Sequence, residues 1–471
     1  MPRVHEIDSR CIDEPVLAVC RAVRDAGGRA LLVGGGVRDR LMGVASKDYD
    51  LEVYGLPAEL VEALLKRLGQ LNTVGVSFTV YKVRLASQLE VDVSLPRRES
   101  KVAPGHRGFT VRGDPFMSFE EAAGRRDFTI NAILYDPLES SLIDPFGGVA
   151  DLERGVIRAV SYETFGEDSL RVLRAMQFAA RFEFEIEPDT QRLCRAIDLS
   201  DLAAERIFGE FDKALLLARR PSLGLVAARD LLILDKLLPD LKALVGCPQD
   251  RKWHPEGDVF THTLMALDNA AELTRGLPRE KRLTVMLSVL LHDVAKPGTT
   301  KIEDGRVRSL GHDQAAQEPT LRVLDTLNVH TVNGYDVRAH VVALVAHHLK
   351  PMHFYHDRRR ISDGAFRRLA RVCDLELLYL VAKADALARG PASDAKAQEW
   401  FIERARRLGV EHRAPEPILM GRHLRSLGVE PGPRMGEVLK TVYEMQLDDQ
   451  VTDLDEAIQA ARRLIGSEDR S

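Results

Sequence analysis

LLVGGGVRDRLMG (31–43), followed by SKDYDLEVYG (46–55), is the stretch on which the reading of this chain turns. RALLV reads as a short buried strand that runs into a glycine turn and a helix start, after which the DxD of Asp48 and Asp50 enters a second strand. Residues two apart on an extended segment project to the same side, so both carboxylates face one point, where hard divalent cations such as Mg2+ bind oxygen ligands. Two such ions serve phosphoryl transfer: one activates an attacking 3′-hydroxyl and the other neutralises a leaving pyrophosphate. Gly34, Gly35 and Gly36 let the backbone approach phosphate oxygens, with which Arg38 can pair. A lone DxD is commonly a surface pattern and a bare GGG only a turn. Their order carries the reading.

Outward from this stretch, PVLAVCRAVRDAG (15–27) has helical spacing and stops at Gly27-Gly28, and a second helix is expected over 58–69. TVYKVRLASQLEVDVSL (79–95) reads as two strands, with Glu90, Asp92 and Ser94 on one face and Leu89, Val91, Val93 and Leu95 on the other. Asp92 thus stands as a third carboxylate for the metal site, or as a solvated strand acid. From about 160 onward the pattern is helical, over 165–181, 189–198, 205–217 and almost to the end, with few strand signals. The last residues, SEDRS, are expected to lack fixed structure. DRRRISDGAFRRLARV (357–372) reads as a solvated helix face, with RNA contact the minority reading.

At 471 residues and 45% apolar, the chain exceeds what one core usually serves. Its net charge of −5 provides no global positive field, so any nucleic-acid site must be built locally. The five cysteines, Cys11, Cys20, Cys194, Cys247 and Cys373, form no CxxC pair, which argues against a zinc knuckle or a disulfide framework and fits a reducing cytoplasm. No apolar run approaches 18 residues, so no membrane partner is expected.

Two more segments carry chemistry. RRDFTINAI (125–133) places two arginines and an aspartate together, and FGEDSLRVLRAMQFAARF (165–182) reads as one helix whose Glu167, Asp168 and Arg171 share a face. An intrahelical salt bridge explains that second spacing. So does base recognition, since a carboxylate accepts from an exocyclic amine while a guanidinium donates to a ring nitrogen or carbonyl.

With the glycine turn and DxD, these motifs resemble the class II tRNA nucleotidyltransferase and bacterial poly(A) polymerase family, whose head belongs to the polymerase-β-like superfamily. The resemblance implies that Arg125, Arg126, Asp127 and Asn131 contact the sugar and phosphates of an incoming nucleotide. It implies that Glu167, Asp168 and Arg171 act as an amino-acid template for the base, and Arg174 joins the same nucleotide-binding set with Gly35, Gly36 and Arg38. RRESKVAPGHRGFTVRGDP (97–115) occupies the place of the family's flexible specificity loop. DLAAERIFGEFDKALL (201–216) matches a further motif, where Glu205, Arg206, Glu210 and Lys213 are read as bracing the neck. CTP and ATP are the implied substrates, tRNA the implied partner and Mg2+ the implied cofactor of the head.

HPEGDVFTHTLMALDNA (254–270), LSVLLHDVAKP (287–297), LGHDQAA (310–316), VAHHLKP (345–351) and AKADALARG (382–390) form an ordered series of His and Asp on helical stretches. Such an H…HD…D series is similar to the HD phosphohydrolase superfamily, which implies a divalent metal held by His262, His292, Asp293 and Asp385. Imidazole ligands favour Ni2+, Mn2+, Co2+ or Fe2+ over Mg2+. Lys296 would steady developing charge, and His312 and His348 would hold a second metal or the phosphate, while His254 and His347 read as ordinary packed or solvated histidines. KWHPEGDVFTHTLMAL resembles HD-containing CCA enzymes of gammaproteobacteria, which implies 2′,3′-cyclic phosphodiesterase and phosphatase activity toward damaged tRNA ends.

The fold expected is α+β: a polymerase-β-like mixed α/β nucleotidyltransferase head, an all-α neck and body, and an α-helical HD domain. The expected segments are an N-terminal helical extension (1–27), the head (28–150), the neck and body (151–250), the HD domain (251–390) and a helical tail with possible tRNA contact (391–471). Addition of CCA, of CC or A alone, and of poly(A) share every motif quoted. A tRNA-binding protein whose only active site is the HD centre, and a regulatory nucleotide binder without turnover, are the alternatives of another class. Intact Asp48, Asp50, Arg126 and Asp127 speak against both.

Overall fold

Val16, Val19, Cys20 and Val23 lie on one face of the first helix, α1 (Glu14–Asp25), which starts with Pro15 in its first turn and buries that face against the first strand. The computed structural model describes residues 4–44, 48–73, 80–85, 88–101, 109–390 and 393–468. The chain forms two units, Met1–Leu237 and Leu238–Ser471.

The first unit is built on a seven-stranded mixed sheet. Its strands are β1 (Arg29–Val33), β2 (Asp50–Tyr54), β3 (Gly69–Thr73), β4 (Val80–Leu85), β5 (Glu90–Ser94), β8 (Leu134–Asp136) and β9 (Ser141–Ile143), with β6 (Arg97–Lys101) and β7 (Phe109–Gly113) forming a separate hairpin. Across the sheet the order is β3-β4-β5-β2-β1-β8-β9, and β2 runs parallel to β5 with Asp50 opposite Asp92. The helix α2 (Gly35–Leu41) follows β1, and α3 (Ala58–Leu68) follows β2. Leu31, Val33, Tyr54, Ala132 and Leu134 form one apolar cluster of this head. Beyond it, α4 (Leu170–Phe182) buries Val172, Leu173, Ala175, Met176 and Phe178 against α5 (Ala204–Leu217) and α6 (Pro221–Asp230).

In the second unit α7 (Val259–Leu273), α8 (Arg279–Leu291), α9 (Val337–His347) and α10 (Leu375–Leu387) pack together. The central helix, α8, is buried without a break from Leu283 to Leu291, as expected of a helix apolar all round. Near the end, α11 (Lys396–Arg407) packs on α10, and α12 (Pro433–Leu447) and α13 (Leu454–Glu468) share a small core of Met435, Val438, Val442, Ala457, Ala460 and Ala461.

Four expectations need correction. The segment 165–182 is not one helix: a 3-10 turn at Phe165–Glu167 ends at Asp168, whose backbone is extended, and the α-helix begins at Leu170. Buried Phe165 and the hydrogen bond from the Leu170 amide to Asp168 Oδ1 hold that break. The helical half also contains hairpins, at Thr300–Glu303 with Arg306–Ser309 and at Thr331–Val332 with Tyr335–Asp336. The segment 97–115 pairs Arg97–Lys101 with Phe109–Gly113 as a hairpin, while 102–108, the centre of the expected flexible loop, lies outside the described residues. The last helix continues to Glu468, so Ser467 and Glu468 are helical, and 469–471 lie outside the described residues.

Candidate functional site

The head site is assembled at the end of β2. Tyr49, between the two aspartates, is buried, with its hydroxyl donating to Asp13 Oδ2 at 3.0 Å and the Arg40 guanidinium 4.5 Å above its ring. Alternation along the extended chain then puts Asp48 and Asp50 on the opposite side. The Asp92 amide donates to the Tyr49 carbonyl at 2.9 Å, which fixes the parallel register that sets Asp92 beside Asp50. Lys82, directly across on β4, reaches Asp92 at 3.4 Å. Desolvation at the strand end, followed by the charge of Asp92, pushes the Asp50 carboxyl above its ordinary range, with Asp48 adding to the push, although the residue still meets solvent. Asp50 opposite Asp92, with Asp48 on the same side of the chain, offers oxygen ligands of the kind a divalent cation takes, and the cation's charge would relieve the repulsion at Asp50.

The glycine turn closes on the same point. Gly34 has φ +70°, a conformation that favours glycine, and a Cβ there would meet the Arg126 guanidinium at 3.0 Å. A Cβ on Gly36 would meet the Asp48 carbonyl at 3.1 Å. Arg126 also lies 3.8 Å from Glu52, which shares the Asp50 face of β2 and was not singled out in the sequence. Arg125 contributes its carbonyl, which accepts from Arg171 at 2.7 Å.

Asp127 is 8% exposed and is the hub of the site's inner wall. It accepts from Arg174 Nε at 2.6 Å, from Asn131 Nδ2 at 2.9 Å and from the Phe128 amide at 2.8 Å. Burial opposes its ionisation, but Arg174 and Asn131 outweigh it and hold the carboxyl below its usual range. Arg38, read from sequence as a phosphate partner, is only 4% exposed. It donates to Asn131 Oδ1 at 2.6 Å and to Asp39, and lies over the Phe182 ring at 4.4 Å. In this structure it braces Asn131 from behind.

The neck residues do not pair as their spacing implied. Asp168 is bound by Arg206 at 3.1 Å, while Arg171 donates to the carbonyls of Thr164 and Arg125, and Glu167 stands exposed at the end of the 3-10 turn. The break at Asp168 separates the acids from the helix that carries Arg171. Arg206, read as a neck brace, is the residue that orients Asp168.

The second site lies in the other unit. Asp258 caps α7 by accepting from the Thr261 amide at 2.8 Å, which sets His262 one turn inside, fully buried. His292 and Asp293 end α8. His292, His312 and His348 each direct Nδ1 at the carbonyl three residues earlier, of Val289, Ser309 and Val345, at 2.7 Å in every case. A carbonyl only accepts, so Nδ1 carries a proton, and in the neutral imidazole Nε2 is then the nitrogen left with a lone pair for a metal. His262, His292 and Asp293 bring ligand atoms within 4.8 Å of one another, as do Asp293, His312 and His348, so Asp293 is common to both groups. Asp385 lies 3.0 Å from His262 Nε2, and Lys296 reaches Asp293 at 2.7 Å.

The buried Nε2 atoms of His292 and His312 face the two Asp293 oxygens at 3.2 and 3.3 Å without a well-directed hydrogen bond, and Asp293 Oδ2 is also the oxygen that Lys296 reaches. Buried polar atoms seldom stay unpaired, and two imidazole nitrogens aimed at one shared carboxylate fit a divalent transition metal. Glu256, missed in the sequence, accepts from His262 Nδ1 at 2.6 Å and from His254 Nδ1 at 2.9 Å through the same oxygen. His254 is therefore tied to the site, whereas His347 is half-buried beside it. Arg389, 3.3 Å from Asp385, was also missed.

Comparison with known proteins matches residues 30–158 to the Poly A polymerase head domain, 183–244 to the family described as the probable RNA and SrmB-binding site of polymerase A, and 259–390 to the HD domain. The Multifunctional CCA protein of Nitrosospira multiformis is 39% identical over 290 residues, which take in 60% of this chain and 65% of that one, just under two thirds. That of Chromobacterium violaceum is 36% identical over 348 residues, 73% of this chain and 79% of the other. Among solved structures, the Thermotoga maritima CCA-adding enzyme complexed with tRNA has a TM-score of 0.60 at 21% identity, covering 99% of this chain and all of that one. The Bacillus stearothermophilus CCA-adding enzyme with CTP has a TM-score of 0.61 at 20% identity over 98% of this chain and all of that one, and both likenesses speak for the fold. The length and identity of the Chromobacterium match establish that the chain belongs to the multifunctional CCA protein family.

Proposed function

We propose that the first unit adds C, C and A to tRNA 3′ ends without a nucleic-acid template, using CTP and ATP, and that the second unit is a phosphohydrolase acting on phosphoesters such as 2′,3′-cyclic phosphates. The observation that carries the first part is the set of three carboxylates, Asp48, Asp50 and Asp92, at one strand end beside Arg126 and the glycine turn. Asp48 and Asp50 would hold Mg2+, with Asp92 beside them, and the ion supplies charge neutralisation and activation of the attacking hydroxyl.

The remaining work falls to the chain's own groups. The backbone of Gly35 and Gly36 and the guanidinium of Arg126 receive triphosphate oxygens, and Arg125 flanks them. Asp127, fixed by Arg174 and Asn131, orients the nucleotide's sugar side, with Arg38 holding Asn131 in place. Glu167, Asp168 and Arg171 offer acceptors and donors to the base edge. Arg206 and the Arg125 carbonyl set their positions, so base choice is coupled to the same wall that holds the nucleotide.

In the second unit His262, His292, Asp293 and Asp385 would hold a divalent transition metal such as Ni2+, Mn2+ or Co2+, which supplies a nucleophilic water at neutral pH. His312 and His348 extend that set to a second ion or to the phosphate, and Lys296 supplies fixed positive charge beside Asp293. The five free cysteines support work in a reducing cytoplasm. No helix among the described residues is long and apolar enough to cross a membrane. For the domains we propose the head at 28–150, neck and body at 151–250, HD domain at 251–390 and the helical tail beyond as a tRNA contact.

The test supplies the full chain with tRNAs ending before CCA, after C and after CC, each with CTP, ATP or both. Stepwise completion to CCA is expected. Failure to add C to the first substrate overturns complete CCA addition, and long A tracts on CCA-ended tRNA would assign the chain to poly(A) synthesis.

A further inference from the structure

Two exposed segments spring directly from the walls of the second site. One is the hairpin Thr300–Glu303 and Arg306–Ser309, inserted between Lys296 and His312. Its first residue donates through Thr300 Oγ1 to the Lys296 carbonyl at 2.7 Å, and its last offers the Ser309 carbonyl to His312 Nδ1 at 2.7 Å. Thr300 and Ser309 are paired in register and joined through their hydroxyls at 2.6 Å. The alternation that turns those hydroxyls toward the protein leaves Lys301, Glu303, Arg306 and Arg308 on the other face, all exposed, with a net charge of +2.

The other segment is Arg251-Lys252-Trp253, exposed throughout, next to His254 and three residues before Glu256. Trp253 is 62% exposed, with the Lys252 ammonium 5.4 Å from its ring. Gln249 accepts from Lys296 at 2.7 Å and Cys247 Sγ lies 3.8 Å from Thr300 Oγ1, so this loop is pinned to the root of the hairpin. Leu310, at the hairpin's exit beside His312, is 76% exposed. An exposed tryptophan flanked by cations brings stacking area and phosphate-pairing charge together, the combination by which proteins hold single-stranded nucleic acid.

We propose that this rim is a docking surface for single-stranded RNA, with Trp253 stacking on a base and Arg251, Lys252, Lys301, Arg306 and Arg308 meeting backbone phosphates. The substrate of the second site is then the end of an RNA strand, not a free mononucleotide. This rests on the phosphohydrolase reading above. In hydrolysis of a terminal 2′,3′-cyclic phosphate the water oxygen forms the new bond to phosphorus, one ribose P–O bond breaks, and the freed ribose oxygen takes a proton.

The experiment compares the full chain, supplied with Mn2+ or Ni2+, on two substrates: a short oligoribonucleotide with a 2′,3′-cyclic phosphate end, and bis(p-nitrophenyl) phosphate. Trp253→Ala, and separately Arg306→Ala with Arg308→Ala, are expected to raise the KM for RNA relative to the small ester by about tenfold or more. Trp253→Phe should recover most of the loss, since a phenyl ring also stacks. Independently of turnover, an oligoribonucleotide with an ordinary 3′ end should quench tryptophan emission in the wild type and not in Trp253→Phe, where Trp400 remains. Unchanged KM ratios and no Trp253-dependent quenching, in a protein that hydrolyses the ester, overturn the docking surface and leave the hydrolase standing. If the wild type cleaves neither substrate, the hydrolase reading fails and the inferred substrate fails with it.

Discussion

Arg174 and Asp127 join the neck to the head through a 2.6 Å hydrogen bond between residues 47 apart in sequence, with the carboxylate buried. Because Arg174, Asn131 and the Phe128 amide outweigh burial, the folded carboxyl titrates below its ordinary 3.8. A depressed folded value contributes stability that is complete above the unfolded value and is lost as pH falls through the folded one. Asp127→Asn is therefore expected to cost about 2 kcal/mol at pH 7, less than for a fully buried pair because Arg174 keeps some solvent contact. The difference from wild type should shrink below about pH 4. Denaturant unfolding at pH 7 and pH 3 measures this, and a cost independent of pH would contradict it.

Asp92→Asn tests the third carboxylate. Transfer should fall by about 10²-fold or more, on the scale of losing one preorganised electrostatic group at a reacting centre. Thermal stability should hold, since Asp92 is partly exposed and its partner Lys82 is at the surface. A variant that transfers at the wild-type rate would demote Asp92 to a solvated strand acid.

Arg206→Ala releases Asp168 without touching the carboxylate site. Incorporation of UTP and GTP is expected to rise against CTP and ATP by roughly 10-fold or more, the value of one hydrogen-bonded recognition contact. Misincorporation assays on tRNA ending before CCA read the ratio. Unchanged discrimination would show that Asp168 does not need Arg206 to read the base.

Glu256→Ala should weaken metal binding at the second site by about 10- to 100-fold, as expected when the group that orients a ligating imidazole is lost. Glu256→Gln, which keeps an acceptor for one imidazole, should fall between. Titration with Co2+, followed by its absorption spectrum, measures both. Equal affinity in folded Glu256→Ala would leave Glu256 a packing residue.

The sequence made the chemistry legible where it is local. The DxD, the RRDFT segment and the HD dyad each place their groups within a few residues, and alternation alone put Asp92 on a polar strand face. What escaped it depends on contacts across long separations. The spacing of Asp168 and Arg171 matched one helical turn, but Phe165 is buried and breaks the helix, so Asp168 turns to Arg206, 38 residues away. Arg38 looked like a phosphate ligand because nothing local revealed the Asn131 side-chain oxygen that it binds and the Phe182 ring that it covers. Glu256 sits in a Pro-Gly loop without periodicity. The hairpin at 300–309 is polar on one face and short, so its strands gave little signal among helices.

Two active sites with separate chemistry, transfer in the first unit and hydrolysis in the second, are the central claim. Its most direct test measures CCA addition and phosphodiesterase activity on the same preparations of Asp48→Ala with Asp50→Ala and of His292→Ala with Asp293→Ala. The first pair should abolish addition of C to tRNA ending before CCA and spare hydrolysis, and the second should do the reverse. Loss of both activities in either folded double variant, or survival of C addition without Asp48 and Asp50, would contradict it.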